Sequence, residues 1–193
     1  MATGQQKGRL VVISGPSGVG KSTICRRLAE DPRVKLSVSA TTRPPRPGEV
    51  HGVDYFFLRR EEFEQAIASG GLVEWAEYVG QLYGTPREPL EEAINAGKVV
   101  VLDIDVQGAR RVIEQYPNPI TIFIDPPGGD LSVVEQRLQG RATDSPEQRA
   151  RRLERAREEL EARSAYRYRV ANDDLDVAVQ AIRKIIFDET AAG

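Results

Sequence analysis

Short apolar runs alternate with amphipathic segments along much of the chain. LVVIS at 10–14, KVVVLDID at 98–105 and ITIFID at 120–125 are almost continuously apolar and have the length of a strand. Runs of this kind are typical of strands that are buried on both faces of a parallel sheet. A segment with helical periodicity follows each of them. The pattern therefore predicts an α/β fold in which helices cover both faces of a parallel sheet.

The other elements follow from the same periodicities and from glycine residues that end helices. Helices are predicted at 21–30, 60–71, 86–97, 107–116, 130–140, 146–164 and 175–190. Strands are predicted at 36–40, 54–58 and 166–173, and a hairpin that turns at Gly80 at 72–84. The strands between Ser37 and Tyr83 are short and close together in the sequence. This region is therefore predicted to be a small antiparallel subdomain inserted into the α/β fold.

Composition narrows the class of protein. The 193 residues suggest one domain, with or without inserts. The 27 basic and 29 acidic side chains give a net charge of −2, which argues against binding of nucleic acid by overall charge. The single cysteine, Cys25, excludes an internal disulfide and a zinc site made of cysteines. MATGQQKGR does not resemble a signal peptide and no apolar run could span a bilayer, so a cytoplasmic protein is expected.

A phosphate-binding loop follows the first predicted strand. GPSGVGKS at 15–22 matches G-x-x-x-x-G-K-[ST] and lies between a strand and a helix, as this motif requires. Its glycines allow backbone N–H groups to surround phosphate oxygens at the start of a helix. Lys21 is expected to reach the β- and γ-phosphates, and the Ser22 hydroxyl to bind Mg²⁺. The sequence therefore predicts that this loop binds a nucleoside triphosphate, MgATP, and is not an ordinary glycine-rich turn.

Two carboxylates end the second long apolar run. Asp103 follows VVVL directly, and Asp105 comes two residues later. Residues two apart on a strand share a face, so both are predicted to point toward the carboxyl end of the sheet, where ligands bind in open α/β folds. A phosphate-binding loop needs an acidic residue there to hold the waters of its metal. The alternative is a polar strand end without a function.

The segment SATTRPPRPGEVHGVDY at 39–55 carries two arginines in a proline-rich stretch. Each arginine precedes a proline, so an extended chain near polyproline II is predicted. Because that helix has three residues per turn, Arg43 and Arg46 would share a face and could converge on one phosphate, helped by Tyr55 or Tyr83. The alternative is a solvated loop. A phosphate acceptor is already anionic near neutral pH and needs no general base. His51 is accordingly expected to be a surface residue.

A third group of residues suits a guanine base. Glu74 lies in EWAEY, and Tyr83 and Thr85 lie in QLYGT. Carboxylates only accept hydrogen bonds, so Glu74 and Asp105 together favour a base edge with two donors. Guanine presents N1–H and an exocyclic amine on one edge, whereas adenine does not.

These motifs closely resemble the guanylate kinase family over nearly the whole chain. The matching segments are GPSGVGKST at 15–23, SATTRPPRPGEVHGVDY at 39–55, VEWAEY at 73–78, YGT at 83–85, LDIDVQG at 102–108, RLQGR at 137–141, RL at 152–153 and NDDLD at 172–176. The resemblance implies a P-loop NTPase-type parallel sheet, an inserted nucleotide-monophosphate-binding subdomain and a helical lid. It implies one domain over 1–193, with the core at 1–36, 86–136 and 165–193, the GMP-binding insert at 37–85 and the lid at about 137–164.

The resemblance also implies a reaction and a role for each matching residue. The family transfers a phosphoryl group from ATP to GMP with Mg²⁺, giving ADP and GDP in purine nucleotide metabolism, and dGMP is an expected second acceptor. The implied GMP-binding residues are Ser39, Arg43, Arg46, Tyr55 and Tyr83 for the phosphate, and Glu74, Thr85 and Asp105 for guanine. The implied ATP-binding residues are Gly15, Pro16, Ser17, Gly18, Val19, Gly20, Lys21, Ser22, Thr23 and Asn172. The implied catalytic residues are Lys21, Arg43, Arg137, Arg141 and Arg152. The implied metal ligands are Ser22 and, through water, Asp103.

One position departs from the family pattern. The family usually has Gly-Arg-Gly-Thr in the lid, where this chain has GRAT with Ala142 in place of the second glycine. Alanine tolerates fewer backbone conformations, so closing of the lid could differ slightly. The expected partners are ATP and GMP, without nucleic acid or a membrane, and the expected assembly is a monomer or a small homo-oligomer.

Two rival functions remain open. A P-loop kinase acting on another phosphorylated acceptor, such as a phosphosugar, would keep the loop and the arginines but would not need Glu74 and Asp105. A scaffold module that binds phosphorylated peptides would be expected to lose Lys21 and Asp103, which are both present.

The arginine-rich segment at 149–167 allows a nucleic-acid interpretation, but its charges pair at helical spacing. Most of these charges are therefore predicted on a solvated, salt-bridged face. The pairs are Glu147–Arg151, Glu154–Arg157 and Arg155–Glu159. Cys25 and Trp75 are predicted to be packing residues.

Overall fold

The computed structural model describes residues 8–78, 80–129, 131–132 and 146–191, and for 146–152, 155 and 189–191 it describes the backbone alone. The main sheet has five strands, in the order β2, β7, β1, β8, β9, and all neighbours are parallel. These strands are β1 (Arg9–Ser14), β2 (Val34–Leu36), β7 (Val99–Asp103), β8 (Ile120–Asp125) and β9 (Tyr168–Ala171). The helices are α1 (Lys21–Leu28), α2 (Arg60–Ala68), α3 (Arg87–Asn95), α4 (Val106–Gln115), α5 (Pro146–Glu161) and α6 (Leu175–Ala191). The predicted α/β fold is confirmed.

Each face of the main sheet has its own apolar core. On β1, Val11 and Ile13 belong to the cluster that includes α1 and α6 residues. Leu10 and Val12, on the opposite face, belong to the cluster that includes α3 and α4 residues. Side chains alternate between the faces of a strand, so a strand covered on both sides has to be apolar at every position. This explains the continuous apolar runs in the sequence.

A second, smaller sheet lies within the region that was predicted to be an insert. Its order is β4, β3, β6, β5, formed by β3 (Ala40–Thr41), β4 (Phe56–Phe57), β5 (Leu72–Tyr78) and β6 (Gln81–Pro86). The β3–β6 and β5–β6 pairs are antiparallel, whereas β3–β4 is parallel. Phe63 of α2 is fully buried and fills the separate core of this sheet. The small sheet therefore has an apolar core separate from those of the main sheet.

Several predicted element boundaries are wrong. The strand at 36–40 is in fact two strands, because the chain crosses from one sheet to the other there. The Ser37 N–H donates to Val101 of the main sheet, whereas the Ser39 carbonyl accepts from Phe56 of the small sheet. The predicted helix at 146–164 ends at Glu161 in a 3₁₀ turn, Ala162–Ala165, and a second 3₁₀ turn, Pro127–Gly129, has no counterpart among the predicted elements. The predicted helix at 130–140 falls almost entirely outside the described residues.

No helix in the described part of the chain is long and apolar enough to cross a membrane.

Candidate functional site

The phosphate-binding loop connects β1 to α1, as predicted. Gly15 has φ of 146°, and a Cβ there would lie 2.4 Å from the Ile124 carbonyl oxygen of β8, so only glycine fits. The Asn172 amide donates to the Val19 carbonyl at 2.7 Å, and a Cβ on Gly20 would lie 2.6 Å from the same amide nitrogen. Asn172 therefore packs against the loop itself. Because the Val19 side chain is fully buried, only its backbone can face a ligand.

The charged end of Lys21 lies across the mouth of the loop. Its ammonium donates to the carbonyl oxygens of Gly15, at 2.5 Å, and Pro16, at 3.2 Å. Ser22 donates its hydroxyl to Asp103 Oδ2 at 2.7 Å. β7 brings Asp103 to this point because it pairs directly with β1, where Ile13 lies opposite Asp103. The structure thus brings together the predicted lysine, hydroxyl and metal-side carboxylate.

A cleft of about 460 Å³ adjoins the loop. Its lining includes Ser17, Gly18, Gly20, Lys21, Ser22, Thr23, Tyr78, Asp103, Asp105 and Glu159. Five of these residues lie within the motif at 15–22, which specifies Gly20, Lys21 and Ser22 among them, and Thr23 follows the motif directly. The cleft is large enough for a phosphate chain and joins the phosphate-binding loop to the side of the molecule that carries Asp105.

The prediction that Asp105 lies on a strand is wrong. β7 ends at Asp103, and Asp105 is the N-cap of α4, where its side chain accepts from the Gly108 N–H at 2.8 Å. An N-terminal carboxylate of this kind satisfies a backbone donor that the helix cannot pair itself. The cap ends the strand, yet it leaves Asp105 at the carboxyl edge of the sheet.

Glu74 meets Asp105 across the gap between the two sheets. A Cβ on Gly108 would lie 2.8 Å from Glu74 Oε2 and 3.5 Å from Asp105 Oδ1, so both carboxylates flank one position at the start of α4. Thr85 donates its hydroxyl to Glu74 Oε1 at 2.6 Å. Glu74 is only 7% exposed. The pair predicted to read a base is therefore present, with Thr85 as its support.

The electrostatics of Glu74 follow from its burial. Loss of solvation raises the pKa of Glu74, and the nearby Asp105 charge raises it further, whereas the Thr85 hydrogen bond lowers it. A buried carboxylate beside a second carboxylate is stabilised by donors that a ligand brings. The arrangement suits a ligand edge with two N–H groups.

Arg43 is held by a residue that the sequence did not single out. Its guanidinium donates to both carboxylate oxygens of Glu49, at 2.8 and 2.9 Å, and lies 5.5 Å from the ring centre of Tyr55. The Arg46 backbone N–H, not its side chain, also donates to Glu49, and the Arg46 side chain is exposed. Arg43 and Arg46 are therefore tied to one carboxylate in this structure.

Two tyrosines and a serine complete this part of the small sheet. The Tyr55 and Tyr83 ring centres are 6.2 Å apart. Burial raises the pKa of Tyr55, so its hydroxyl remains a donor near neutral pH. Ser39 lies directly before β3 and is half-buried. Arg43, Tyr55 and Tyr83 come together as predicted.

Of the three residues predicted to have no chemical role, two lie where they were predicted and one does not. His51 is exposed, as predicted, and its Nδ1 accepts from the Phe57 N–H. Cys25 is 1% exposed and packs in the main core, as predicted. Trp75 is 37% exposed, so its assignment to packing is wrong; its ring lies beside the Arg111 guanidinium at 5.6 Å. On β5 the pleat turns Trp75 away from the face that buries Glu74.

The prediction of a solvated face on α5 is confirmed at Glu154 and Arg157 and wrong at Glu159. Glu154 and Arg157 form an exposed ion pair at 3.2 Å. Glu159 is 4% exposed and accepts from the Ser17 N–H of the phosphate-binding loop at 3.2 Å. It lies three residues after Ala156, which is fully buried, so the two share a face of α5.

Three predicted lid residues lie outside the described part of the chain. These are Arg137, Arg141 and Ala142. Only the backbone of α5 is described at four further positions. These are Glu147 and Arg151, which were predicted to pair, Arg155, which was predicted to pair with Glu159, and Arg152.

Comparisons with known proteins agree over almost the whole chain. A family model described as guanylate kinase matches residues 7–189. The guanylate kinase of Symbiobacterium thermophilum is 52% identical over 186 residues, covering 96% of this chain and 87% of the relative. That of Gloeobacter violaceus is 52% identical over 187 residues, covering 96% and 90%. A crystal structure of guanylate kinase from Anaplasma phagocytophilum has a TM-score of 0.76 and 34% identity, covering 96% of this chain and 87% of that one.

Proposed function

The chain belongs to the guanylate kinase family, and we propose that it transfers the γ-phosphate of ATP to GMP, giving ADP and GDP. One observation carries this proposal beyond the family match. The Ser22–Asp103 pair beside the phosphate-binding loop and the Glu74–Asp105 pair at the start of α4 border the same region of the molecule. A triphosphate and a base with two donors would therefore bind side by side.

ATP would be held through its phosphates. The loop backbone and Lys21 would neutralise the β- and γ-phosphates, where charge develops in the transition state. Ser22 and Asp103 offer oxygen ligands, which Mg²⁺ prefers, and the short hydrogen bond between them marks where it would bind. Mg²⁺ would neutralise phosphate charge there, with Asp103 acting through a bound water. Asn172 would support the loop from behind rather than contact the base.

The GMP phosphate would take over the contacts that Glu49 now makes. Arg43 is paired with one carboxylate and lies beside Tyr55 and Tyr83. A phosphate has more charge and more acceptor oxygens than a carboxylate, so it can compete for the same fork of N–H donors. Arg46, exposed on the same segment, and Ser39 would then close on the phosphate. Because the attacking phosphate oxygen is already anionic, the reaction needs no general base.

The guanine edge would bind between Glu74 and Asp105. Guanine N1–H and its exocyclic amine would donate to the two carboxylates, while Thr85 holds Glu74 in place. None of these proposed contacts involves the ribose, so dGMP is proposed as a second acceptor.

The proposed moving parts are the insert at 37–85 and a lid at about 137–164 around a core at 1–36, 86–136 and 165–193. Arg137, Arg141 and Arg152 would reach the transferring phosphate when the lid closes, as the family resemblance implies. Such closure excludes water and aligns the two substrates. The chain is proposed to act in the cytoplasm, in purine nucleotide metabolism, as a monomer or a small homo-oligomer.

The experiment that tests the function is an ADP-release assay with MgATP and a panel of acceptors. GMP should be the best acceptor, dGMP should be used, and AMP, CMP and UMP should be poor. A phosphosugar panel run in parallel tests the rival kinase. A phosphosugar that outperforms GMP would overturn the proposal, as would ATP turnover that does not depend on GMP.

A further inference from the structure

A buried carboxylate on α5 contacts the phosphate-binding loop, and neither the motif nor the family resemblance assigns it a role. Glu159 is 4% exposed, lines the cleft, and accepts the Ser17 N–H at 3.2 Å. Burying a carboxylate is unfavourable unless it is well hydrogen-bonded. Its neighbour Glu158 is exposed, so burial is a property of this position and not of the helix as a whole.

Helix geometry relates Glu159 to the proposed lid. An α-helix advances about 100° per residue, so positions seven apart return to nearly the same face after two turns, about 10 Å along the axis. Position 152 is seven residues before Glu159 on α5, and Ala156, which is fully buried, lies between them on that face. The same face of α5 that touches the loop at its C-terminal end therefore carries position 152 toward its N-terminal end.

We propose that Glu159 is a positioning residue, which fixes α5 against the Ser17 N–H and so sets the distance from the phosphate-binding loop to Arg152. This inference rests on the proposed function, since it assigns Arg152 to the transferring phosphate. The hydrogen bond to Ser17 joins α5, which carries position 152, to the loop that would hold ATP.

The contact between Glu159 and Ser17 could have another role, which ATP-binding measurements would reveal. A carboxylate at a phosphate-binding loop could instead compete with ATP for the loop. In that case, removing its charge would tighten ATP binding. A positioning role predicts instead that a neutral side chain able to accept from the Ser17 N–H leaves ATP binding unchanged.

The test compares three variants of Glu159 with Glu158→Ala as the matched control on the exposed side of the helix. Glu159→Ala should lower kcat by about tenfold to a hundredfold, since displacement of a catalytic group by about 1 Å can have that effect. The KM for the acceptor should change by less than about twofold, because Glu159 contacts the phosphate-binding loop through Ser17. Glu159→Gln, whose amide oxygen can still accept the Ser17 N–H, should retain most of the activity. Glu158→Ala should match the wild type.

Glu159→Asp and a double variant make the test independent of folding defects. Glu159→Asp keeps the charge but is one methylene shorter, so it should lose kcat as Glu159→Ala does. In an Arg152→Ala background, Glu159→Ala should cause less than about twofold further loss, as expected for two residues that act as a unit. Thermal unfolding of each variant checks that it is folded.

Two results would overturn the inference. One is wild-type kcat in Glu159→Ala and Glu159→Asp; the other is a lower KM for ATP in both Glu159→Ala and Glu159→Gln. The wild type is assayed first on the acceptor panel, so a failure of the proposed function appears there. The split between kcat and KM is then measured on whichever acceptor the wild type uses.

Discussion

Substitution of Glu74 by glutamine tests how the base is recognised. Glu74→Gln preserves the size of the side chain but replaces a charged acceptor with a neutral amide that has one acceptor and one donor group. Thr85 donates to Glu74 Oε1 at 2.6 Å, and its hydroxyl can rotate to accept from the amide instead. The amide oxygen then faces guanine, and the lost quantity is the contribution of the charge. A hydrogen bond to a charged group contributes about 1.5–3 kcal/mol, roughly 1–1.5 kcal/mol more than a hydrogen bond between neutral groups.

That magnitude sets the expected result. A loss of about 1.4 kcal/mol is a factor of ten, so kcat/KM for GMP should fall about fivefold to tenfold. The loss for AMP should be smaller, because AMP does not offer two donors to the pair. The ratio of kcat/KM for GMP to that for AMP should therefore fall. The measurement is a coupled ADP-release assay on both acceptors, with Glu77→Gln, an exposed glutamate on the same strand, as the control.

Stability and pH dependence separate this effect from damage to the fold. Because loss of solvation raises the pKa of Glu74, its charge opposes folding as pH rises above the ordinary carboxyl value. The folded state binds the proton more tightly than the unfolded state in that window, so this contribution decreases stability with rising pH. Glu74→Gln should remove it and leave the melting temperature unchanged or higher at neutral pH. An unchanged GMP-to-AMP ratio in both Glu74→Gln and Asp105→Asn would refute the reasoning and favour a kinase for another phosphorylated acceptor.

Three further predictions concern the loop, the start of α4 and the moving parts. Lys21→Met should lower kcat about a hundredfold or more, since loss of one preorganised donor has that effect, with a smaller change in GMP binding by calorimetry. Gly108→Ala should raise KM for GMP in steady-state assays with little effect on KM for ATP, because its Cβ would lie 2.8 Å from Glu74 Oε2; an unchanged KM would show that Glu74 can shift freely. Solution scattering with both substrate sites occupied by unreactive analogues should give a smaller radius of gyration than the free protein, and no compaction would count against closure of the insert and the lid.

What the sequence could predict was local. The phosphate-binding loop depends on a fixed spacing of glycines, Lys21 and Ser22, and the structure places these residues as the motif requires. The buried strands could be recognised from their continuous apolar runs, because helices cover both faces of the sheet. The prediction failed where the end of a strand and the start of a helix were both compatible with the sequence. Asp105 continues an apolar run in the sequence, but its side chain caps a helix instead.

What the sequence could not predict depends on distant contacts. The pairing of Arg43 with Glu49 depends on how one loop folds on itself. The division of 36–40 between two sheets depends on partners more than 15 residues away, Phe56 and Val101. Glu159 looked like one more charge on a solvated helix, and only the packing of α5 against the loop buries it.

The most direct test of the account is to follow the phosphorus atom. The protein is incubated with Mg²⁺, ATP labelled at the γ-position and unlabelled GMP, and the nucleotides are separated by chromatography. The account predicts that label appears in the β-phosphate of GDP, in one-to-one ratio with the ADP formed. Label released as inorganic phosphate, or ADP formed without labelled GDP, would contradict it.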